Sequence, residues 1–160
     1  MTAKILPRTW APIITGILEK PPRDQYEASL MPMLFELMAP DAIHQYCAQW
    51  FPDSGRETGD AFIAWRKRHE VMQKDVTAHS TAMWLSNAGD WPDAVPRIRP
   101  ALRKQMVEEL LSRFDARPVE ESRKECKDFP RQLASRAWDL ERKFKTQLAV
   151  MRAHPLGTTS

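Results

Sequence analysis

Seven large side chains in the middle of the sequence recur at alternating intervals of three and four residues, without a miss over six intervals. They are Phe62, Trp65, His69, Met72, Val76, His79 and Met83. Because an α-helix has 3.6 residues per turn, this spacing places all seven on one face of a helix. We therefore predict one long central helix over about residues 55–85. Ser54 and Glu57 form a capping box at its predicted start, and Asn87 and Gly89 favour its end.

The rest of the chain also favours helices over strands. The 160 residues include only five glycines and two tyrosines, and runs of alternating β-branched residues, which mark strands, are few. The hydrophobic fraction of 42 % and the charged fraction of 28 % are those of a folded domain. We expect an all-α, single-domain bundle of five to six helices over residues 10–153, with a flexible arm at 1–9 and a flexible tail at 154–160.

Prolines are expected to set the helix boundaries, because proline lacks an amide donor and its ring clashes with the preceding turn. A first short helix ends before Pro21, and a second one, kinked at Pro32, ends at Pro40. Residues 86–100 hold three prolines and one glycine, which predicts a crossover loop between antiparallel helices. Pro130 is expected to kink the C-terminal helix.

The two cysteines, Cys47 and Cys126, both fall on apolar stripes, so we expect both inside the bundle. The N-terminus has no long apolar stretch followed by a cleavage site, which favours a cytoplasmic protein in which thiols stay reduced. Two buried free thiols are therefore the favoured interpretation. A disulfide that closes a loop of about 80 residues is the alternative, and it would fit a processed chain in the periplasm or outside the cell.

No pattern in the sequence predicts catalysis or a cofactor. The chain lacks the G-x-S-x-G motif, a glycine-rich phosphate loop and a Cys/His zinc pattern. His44 stands three residues from Asp41, but a metal site needs a third ligand. His69 and His79 are ten residues apart, too far to share an ion, and we interpret them as hydrogen-bonded core histidines, with pH sensing as the minor alternative. We expect no enzyme, no metal and no cofactor.

Charge is divided unevenly along the chain. Residues 1–96 carry 9 Lys and Arg against 12 Asp and Glu, whereas residues 97–160 carry 15 against 9. Four cations in the basic half share one face of a predicted helix: Arg123, Lys124, Lys127 and Arg131. Such a stripe is typical of proteins that follow nucleic-acid phosphates, although interleaved acids such as Glu120 and Asp128 are also typical of a solvated helix. A nucleic-acid accessory factor is therefore the second functional hypothesis.

Binding of another protein is the favoured function. Six tryptophans and eight methionines suit an interaction module, since tryptophan anchors interfaces and methionine repacks. The expected contact region is the crossover and the helix that follows it: Trp84, Trp91, Arg97, Arg99, Arg103 and Lys104. The alternative is that Trp84 and Trp91 only cap the core. No stretch reaches eighteen apolar residues, so we predict no membrane partner; the sequence does not predict an oligomeric state.

Two short patterns resemble known families and imply opposite compartments. The run from Trp65 to Trp91 and Pro96 is similar to a stretch of the P-type helicase loaders of phage replication, which implies a replication accessory factor. Cys47, Phe51-Pro52, Trp65, Arg68 and Cys126 resemble the layout of small secreted helical proteins with one disulfide. Neither pattern assigns a family or transfers a functional residue.

Overall fold

The computed structural model describes residues 9–156, which form eight α-helices and two short 3₁₀ helices. The α-helices are α1 (Ala11–Leu18), α2 (Gln25–Trp50), α3 (Pro52–Arg68), α4 (Glu70–Asn87), α5 (Ile98–Asp115), α6 (Val119–Leu133), α7 (Leu140–Lys143) and α8 (Lys145–Arg152). Residues 9–156 contain no strand, so the predicted all-α class is confirmed. The predicted number of five to six helices is too low, because two of the predicted helices are interrupted. Most of the expected arm at 1–9 and tail at 154–160 lies outside the described residues.

The central helix of the bundle is α2, and the prediction that residues 55–85 supply it is wrong. α2 has 26 residues, which is about 39 Å at 1.5 Å per residue. It contacts α3, α4, α5, α6, α7 and α8. Its buried side chains lie all around the helix, as a helix surrounded by neighbours requires.

α2 continues through both of its prolines, so the break expected at Pro40 does not occur. A proline inside a helix removes one backbone hydrogen bond and costs about 3 kcal/mol. Here Pro40 is buried between neighbouring helices, and the burial of α2 on several sides offsets that cost. The start of α2 is fixed by Asp24, whose carboxylate accepts the Glu27 N–H at 2.9 Å.

The helix predicted over residues 55–85 is two helices, α3 and α4, joined at His69. The backbone of His69 lies at φ −103° and ψ 13°, outside the α-helical range. The predicted face is nevertheless the buried one. Buried positions are Phe62, Trp65, His69, Met72, Val76 and His79. The 3-4 spacing identified the face of the helices but did not reveal the interruption.

The predicted start of this helical region is wrong, whereas its predicted end is confirmed. α3 begins at Pro52, with Phe51 as N-cap and no side-chain cap, so the capping box is wrong. α4 ends at Asn87 as predicted, and Gly89 adopts a left-handed φ of 56°, which glycine tolerates because it has no Cβ. The crossover is shorter than the predicted loop at 86–100, because Pro92–Arg97 form a 3₁₀ helix.

The interruption in the C-terminal part lies beyond the predicted kink. Pro130 sits within α6, which continues to Leu133. The chain leaves helical geometry after Leu133, passes through a 3₁₀ helix at Arg136–Trp138 and resumes as α7. Asp139 starts α7, since its carboxylate accepts the Arg142 N–H at 3.4 Å. An N-cap aspartate inside the expected helix was the sequence signal for this second start.

A small second core surrounds the cysteines at the C-terminal end of α2. Cys47 and Cys126 are joined by a disulfide, with their Cα atoms 5.6 Å apart, so neither thiol is free and the favoured interpretation was wrong. Both residues are fully buried. They pack in a cluster with Ala42, Tyr46, Phe51, Leu110 and Phe114. The bridge therefore joins the central helix to α6 inside an apolar environment.

Candidate functional site

Trp84 belongs to the core rather than to a contact surface. It is only 1 % exposed, and its Nε1–H finds no hydrogen-bond partner among the described residues. The guanidinium of Arg99 lies 4.9 Å from the centroid of its ring. Trp84 thus caps the core, as the alternative interpretation predicted, and offers almost no area to a partner.

Trp91 and Arg97 contact Trp10, the N-cap residue of α1. The half-buried ring of Trp91 meets the ring of Trp10 edge to face, with centroids 6.2 Å apart. The guanidinium of Arg97 lies 4.4 Å from the Trp10 centroid. Together these contacts attach the 3₁₀ helix at Pro92–Arg97 to the first helix of the chain, and they account for both side chains structurally.

The remaining three predicted contact residues line one cleft, which we name the α2–α5 cleft. Its volume is about 770 Å³, and side chains of α2, α3, α4 and α5 line it. The apolar lining comes from Leu37, Met38, Phe62, Pro100 and Val107. The charged lining comes from Arg66, Arg99, Arg103, Lys104, Asp41 and Glu108. The structure therefore brings Arg99, Arg103 and Lys104 together in one cleft, and neither Trp84 nor Trp91 lines it.

The cations of the α2–α5 cleft differ in how they are engaged. Arg103 forms an ion pair with Asp41 at 2.5 Å. Arg99 donates through Nη2 to the Thr77 carbonyl at 2.6 Å and to the Thr81 hydroxyl at 2.8 Å.

Burial lowers the pKa of the Arg99 guanidinium. Arg66 and Lys104 are exposed and form no ion pair with any described residue. Arg66 and Lys104 therefore carry most of the cleft's available positive charge.

The predicted basic stripe of α6 is present on one side of that helix, but half of it is paired. Arg123 lies 3.4 Å from Glu120, and Arg131 lies 3.4 Å from Asp128. Lys124 and Lys127 are exposed. Neither forms an ion pair within residues 9–156. The stripe thus offers two uncompensated lysines.

A second cleft, which sequence reasoning missed, lies where the α3–α4 joint meets the segment between α6 and α8. We name it the junction cleft. Its volume is also about 770 Å³. Five cations line it: Arg68, Arg136, Arg142, Lys145 and Arg152. No sequence pattern singled out the four C-terminal cations, and only the fold brings them close to Arg68.

Three side chains of the α3–α4 joint bind the backbone of the segment at 133–140. Trp65 donates its Nε1–H to the Trp138 carbonyl at 2.8 Å, and Arg68 donates to the Leu133 carbonyl at 3.1 Å. The Leu140 N–H donates to Nε2 of His69 at 3.1 Å. These bonds fix the interrupted segment at both of its ends.

The ring of His69 is buried and serves a structural role. Since the Leu140 N–H can only donate, Nε2 must accept and the ring proton is on Nδ1, which donates to the Trp65 carbonyl at 2.8 Å. His44 is also engaged structurally: its Nδ1 lies 3.2 Å from the Thr58 hydroxyl and its ring stacks on Phe62. Neither histidine belongs to a group of His, Cys, Asp and Glu side chains that could bind a metal ion, and residues 9–156 contain no such group.

His79 also forms a structural contact, and its pKa is lowered. Its Nδ1 lies 2.6 Å from the Tyr26 hydroxyl, and the Tyr26 ring stacks on His154 with centroids 3.7 Å apart. Burial, and secondarily the nearby His154, lower the pKa of His79. The group joins α2, α4 and the end of the described chain.

Comparison of the chain with protein-family models, with curated proteins and with solved structures found no match. Within residues 9–156 no helix combines the length and the apolar character that crossing a membrane requires. Function must therefore be inferred from the two clefts and from the basic stripe of α6.

Proposed function

We propose that the protein is a non-enzymatic protein-binding module, an adaptor or accessory protein, that holds an acidic amphipathic helix of its partner in the α2–α5 cleft. One observation carries this proposal: a single cleft combines an apolar floor with a basic rim. Helix-in-groove recognition uses this combination, because apolar anchors at i, i+3, i+4 and i+7 enter the groove while polar residues remain at its edge.

The floor of the cleft is suited to apolar anchors. Leu37 and Phe62 are buried core residues, so the base of the cleft is held by the packing of the bundle. Met38 and Val107 are half-buried at its walls, where they have surface left to cover. A methionine at this position adapts to anchors of different shape, because its unbranched side chain has three rotatable bonds.

The rim favours an acidic partner. Arg66 and Lys104 are exposed and form no ion pair with a described residue, whereas Asp41 is neutralised by Arg103. Glu108 is the remaining acid of the lining. Negative charge on the partner would accelerate association with the basic rim, and the rim would disfavour basic segments. Added salt would weaken both effects.

The test is selection of binding peptides from a displayed library of helical 18-residue sequences. We expect the selected peptides to carry apolar residues at helical spacing and flanking Asp or Glu. Changing both Arg66→Glu and Lys104→Glu should weaken their binding about tenfold or more. The matched control, Lys124→Glu with Lys127→Glu on α6, carries the same charge change and should leave binding unchanged. Equal binding by the cleft variant, or selection of peptides without acidic residues, would refute the proposal.

The second candidate is a nucleic-acid accessory factor, supported by the uncompensated Lys124 and Lys127. Their side chains share a face with Arg123 and Arg131, and such a face can neutralise backbone phosphates. The assay is binding to random-sequence oligonucleotides as a function of salt. A steep loss of affinity with salt, abolished by Lys124→Glu with Lys127→Glu, would favour this function; no retention on a polyanion at low salt would eliminate it.

The compartment is part of the proposal. The cytoplasm is the compartment expected from the sequence, whereas the bridge between Cys47 and Cys126 supports a periplasmic or secreted protein, because disulfides persist in oxidising compartments. Titration of thiols in protein isolated from its natural source, with and without reductant, distinguishes the two. Two reactive thiols in the unreduced, denatured protein would favour the cytoplasm.

A further inference from the structure

We propose that the junction cleft binds a small anion that carries two or more phosphate or sulfate groups. Its lining holds five cationic side chains and two acids, Asp139 and Glu141. With His69 neutral in the tautomer given above, the lining has a net charge of +3. All of these charged side chains line one concave surface.

Three of the five cations have no internal partner. Arg136, Arg142 and Lys145 are exposed, and none forms an ion pair with a described residue. Arg152 is held by Asp75 at 3.2 Å and by Glu141 at 3.7 Å. The charge available to a ligand therefore comes from the 3₁₀ helix at Arg136–Trp138, from Arg142 in the last turn of α7 and from Lys145 at the start of α8.

The two acids of the lining are already engaged. Glu141 lies beside Arg152, and the Asp139 carboxylate accepts the Arg142 N–H as the cap of α7. Both can keep these contacts when an anion binds, because the free cations are different side chains. The ligand would face the uncompensated cations while the acids remain neutralised or capped.

The cleft is also held in shape before any ligand arrives. The bonds from Trp65, Arg68 and His69 to the backbone of residues 133–140 fix the segment that carries Arg136. Arg68 covers the Leu133 carbonyl at the C-terminal end of α6, which would otherwise direct negative partial charge toward the site. Such pre-organisation reduces the conformational entropy that a ligand must overcome.

The chemistry of the lining indicates the class of ligand. Four of the five cations are arginines, whose planar guanidinium groups bind phosphate and sulfate oxygens in pairs. The volume of about 770 Å³ lies within the usual range for small-molecule sites. Leu133 and Leu148 are buried beneath the cleft, and the net charge of +3 around its walls favours a multiply charged anion.

The experiment measures binding of two probes, tripolyphosphate and sucrose octasulfate, by calorimetry at low ionic strength. We expect saturation at one site for at least one probe, weaker binding as salt is added, and a higher melting temperature in its presence. A preference between the probes identifies phosphate or sulfate as the recognised group. Arg136→Glu with Lys145→Glu should weaken binding about tenfold or more, and circular dichroism should show an unchanged fold because both side chains are exposed.

The control variant separates a site from a general charge effect. Arg56→Glu with Lys74→Glu produces the same change in net charge at two exposed residues that line neither cleft, so this variant should retain most of the affinity. Equal weakening by both variants, unchanged affinity in the junction-cleft variant, or no saturable binding of either probe would each overturn the proposal. These results do not depend on whether a helix binds the α2–α5 cleft.

Discussion

The disulfide between Cys47 and Cys126 joins residues separated by 79 positions in the sequence, and this separation determines the expected effect of breaking it. In the chain-entropy model a cross-link stabilises the folded state by restricting the unfolded chain. For a closed loop of about 80 residues the model gives about 4.5 kcal/mol at 25 °C. Domains of this size are stable by about 5–15 kcal/mol, so the bridge is expected to supply a large part of the total.

The perturbation is the double variant Cys47→Ala with Cys126→Ala. Both cysteines are fully buried in the cluster that includes Tyr46 and Phe51, so the substitution also removes two sulfur atoms from a packed region. Comparison with reduced wild-type protein separates the two effects. Reduced wild type and the double variant should differ by about 1 kcal/mol, which is a usual packing effect, while both should lie far below the oxidised protein.

The assay is urea unfolding at 25 °C, followed by tryptophan fluorescence and by far-UV circular dichroism. The oxidised protein should have the higher midpoint and also the smaller slope of free energy against urea. A cross-linked unfolded chain is more compact and exposes less surface, and the slope scales with the surface exposed on unfolding. The slope therefore measures the effect of the cross-link on the unfolded chain, independently of the free energy of unfolding in water.

A difference of less than about 1 kcal/mol between oxidised and reduced wild type, together with equal slopes, would refute this reasoning. Mass spectrometry of the unreduced protein after thiol alkylation provides the necessary check. If both cysteines react without reductant, the bridge is absent.

Three further outcomes are expected. His69→Ala should lower the free energy of unfolding by about 3 kcal/mol and accelerate hydrogen exchange at the Leu140 amide, because that buried N–H loses its acceptor; normal protection there would contradict the assigned role. Because the pKa of His79 is lowered from 6.5, the unfolded state binds the proton more readily, so stability should be full above about pH 6.5 and fall as the pH drops through that value toward the lowered pKa. His79→Asn should flatten this part of the stability profile. Trp84→Ala should cost about 3–5 kcal/mol in urea unfolding, whereas the exposed Lys104→Ala should change stability by less than about 0.5 kcal/mol; similar costs for both would contradict the assignment of Trp84 to the core.

The sequence predicted the buried faces of the helices better than their ends. Apolar spacing identified Phe62, Trp65 and Val76 as buried because burial depends on which face meets the bundle. Spacing carries no information about continuity, so the interruption at His69 was hidden within a regular pattern. The break at Pro40 was predicted from local chemistry, but the tertiary packing of α2 outweighed the cost of one missing hydrogen bond.

The candidate clefts were less predictable than the fold. Arg103 and Lys104 were singled out as neighbours in sequence, yet the apolar floor beside them comes from α2 and α3, which no local pattern indicates. In the junction cleft, Arg68 and Arg152 are 84 positions apart. Only the second helix start at Asp139, which the sequence does signal, turns that part of the chain back toward the α3–α4 joint.

Cys126 precedes α7 and α8 in the sequence, and this order affects how the chain folds during its synthesis. Domains fold largely from the N-terminus onward as they emerge, so the cross-linked loop can close before the last two helices exist. α7 and α8 both pack on α2, and Leu148 and Met151 of α8 are buried there. A nascent chain oxidised at that stage is covalently joined at one end of α2 but still has an uncovered apolar strip along this helix. Chaperone contact during translation is therefore expected at this strip until α8 arrives.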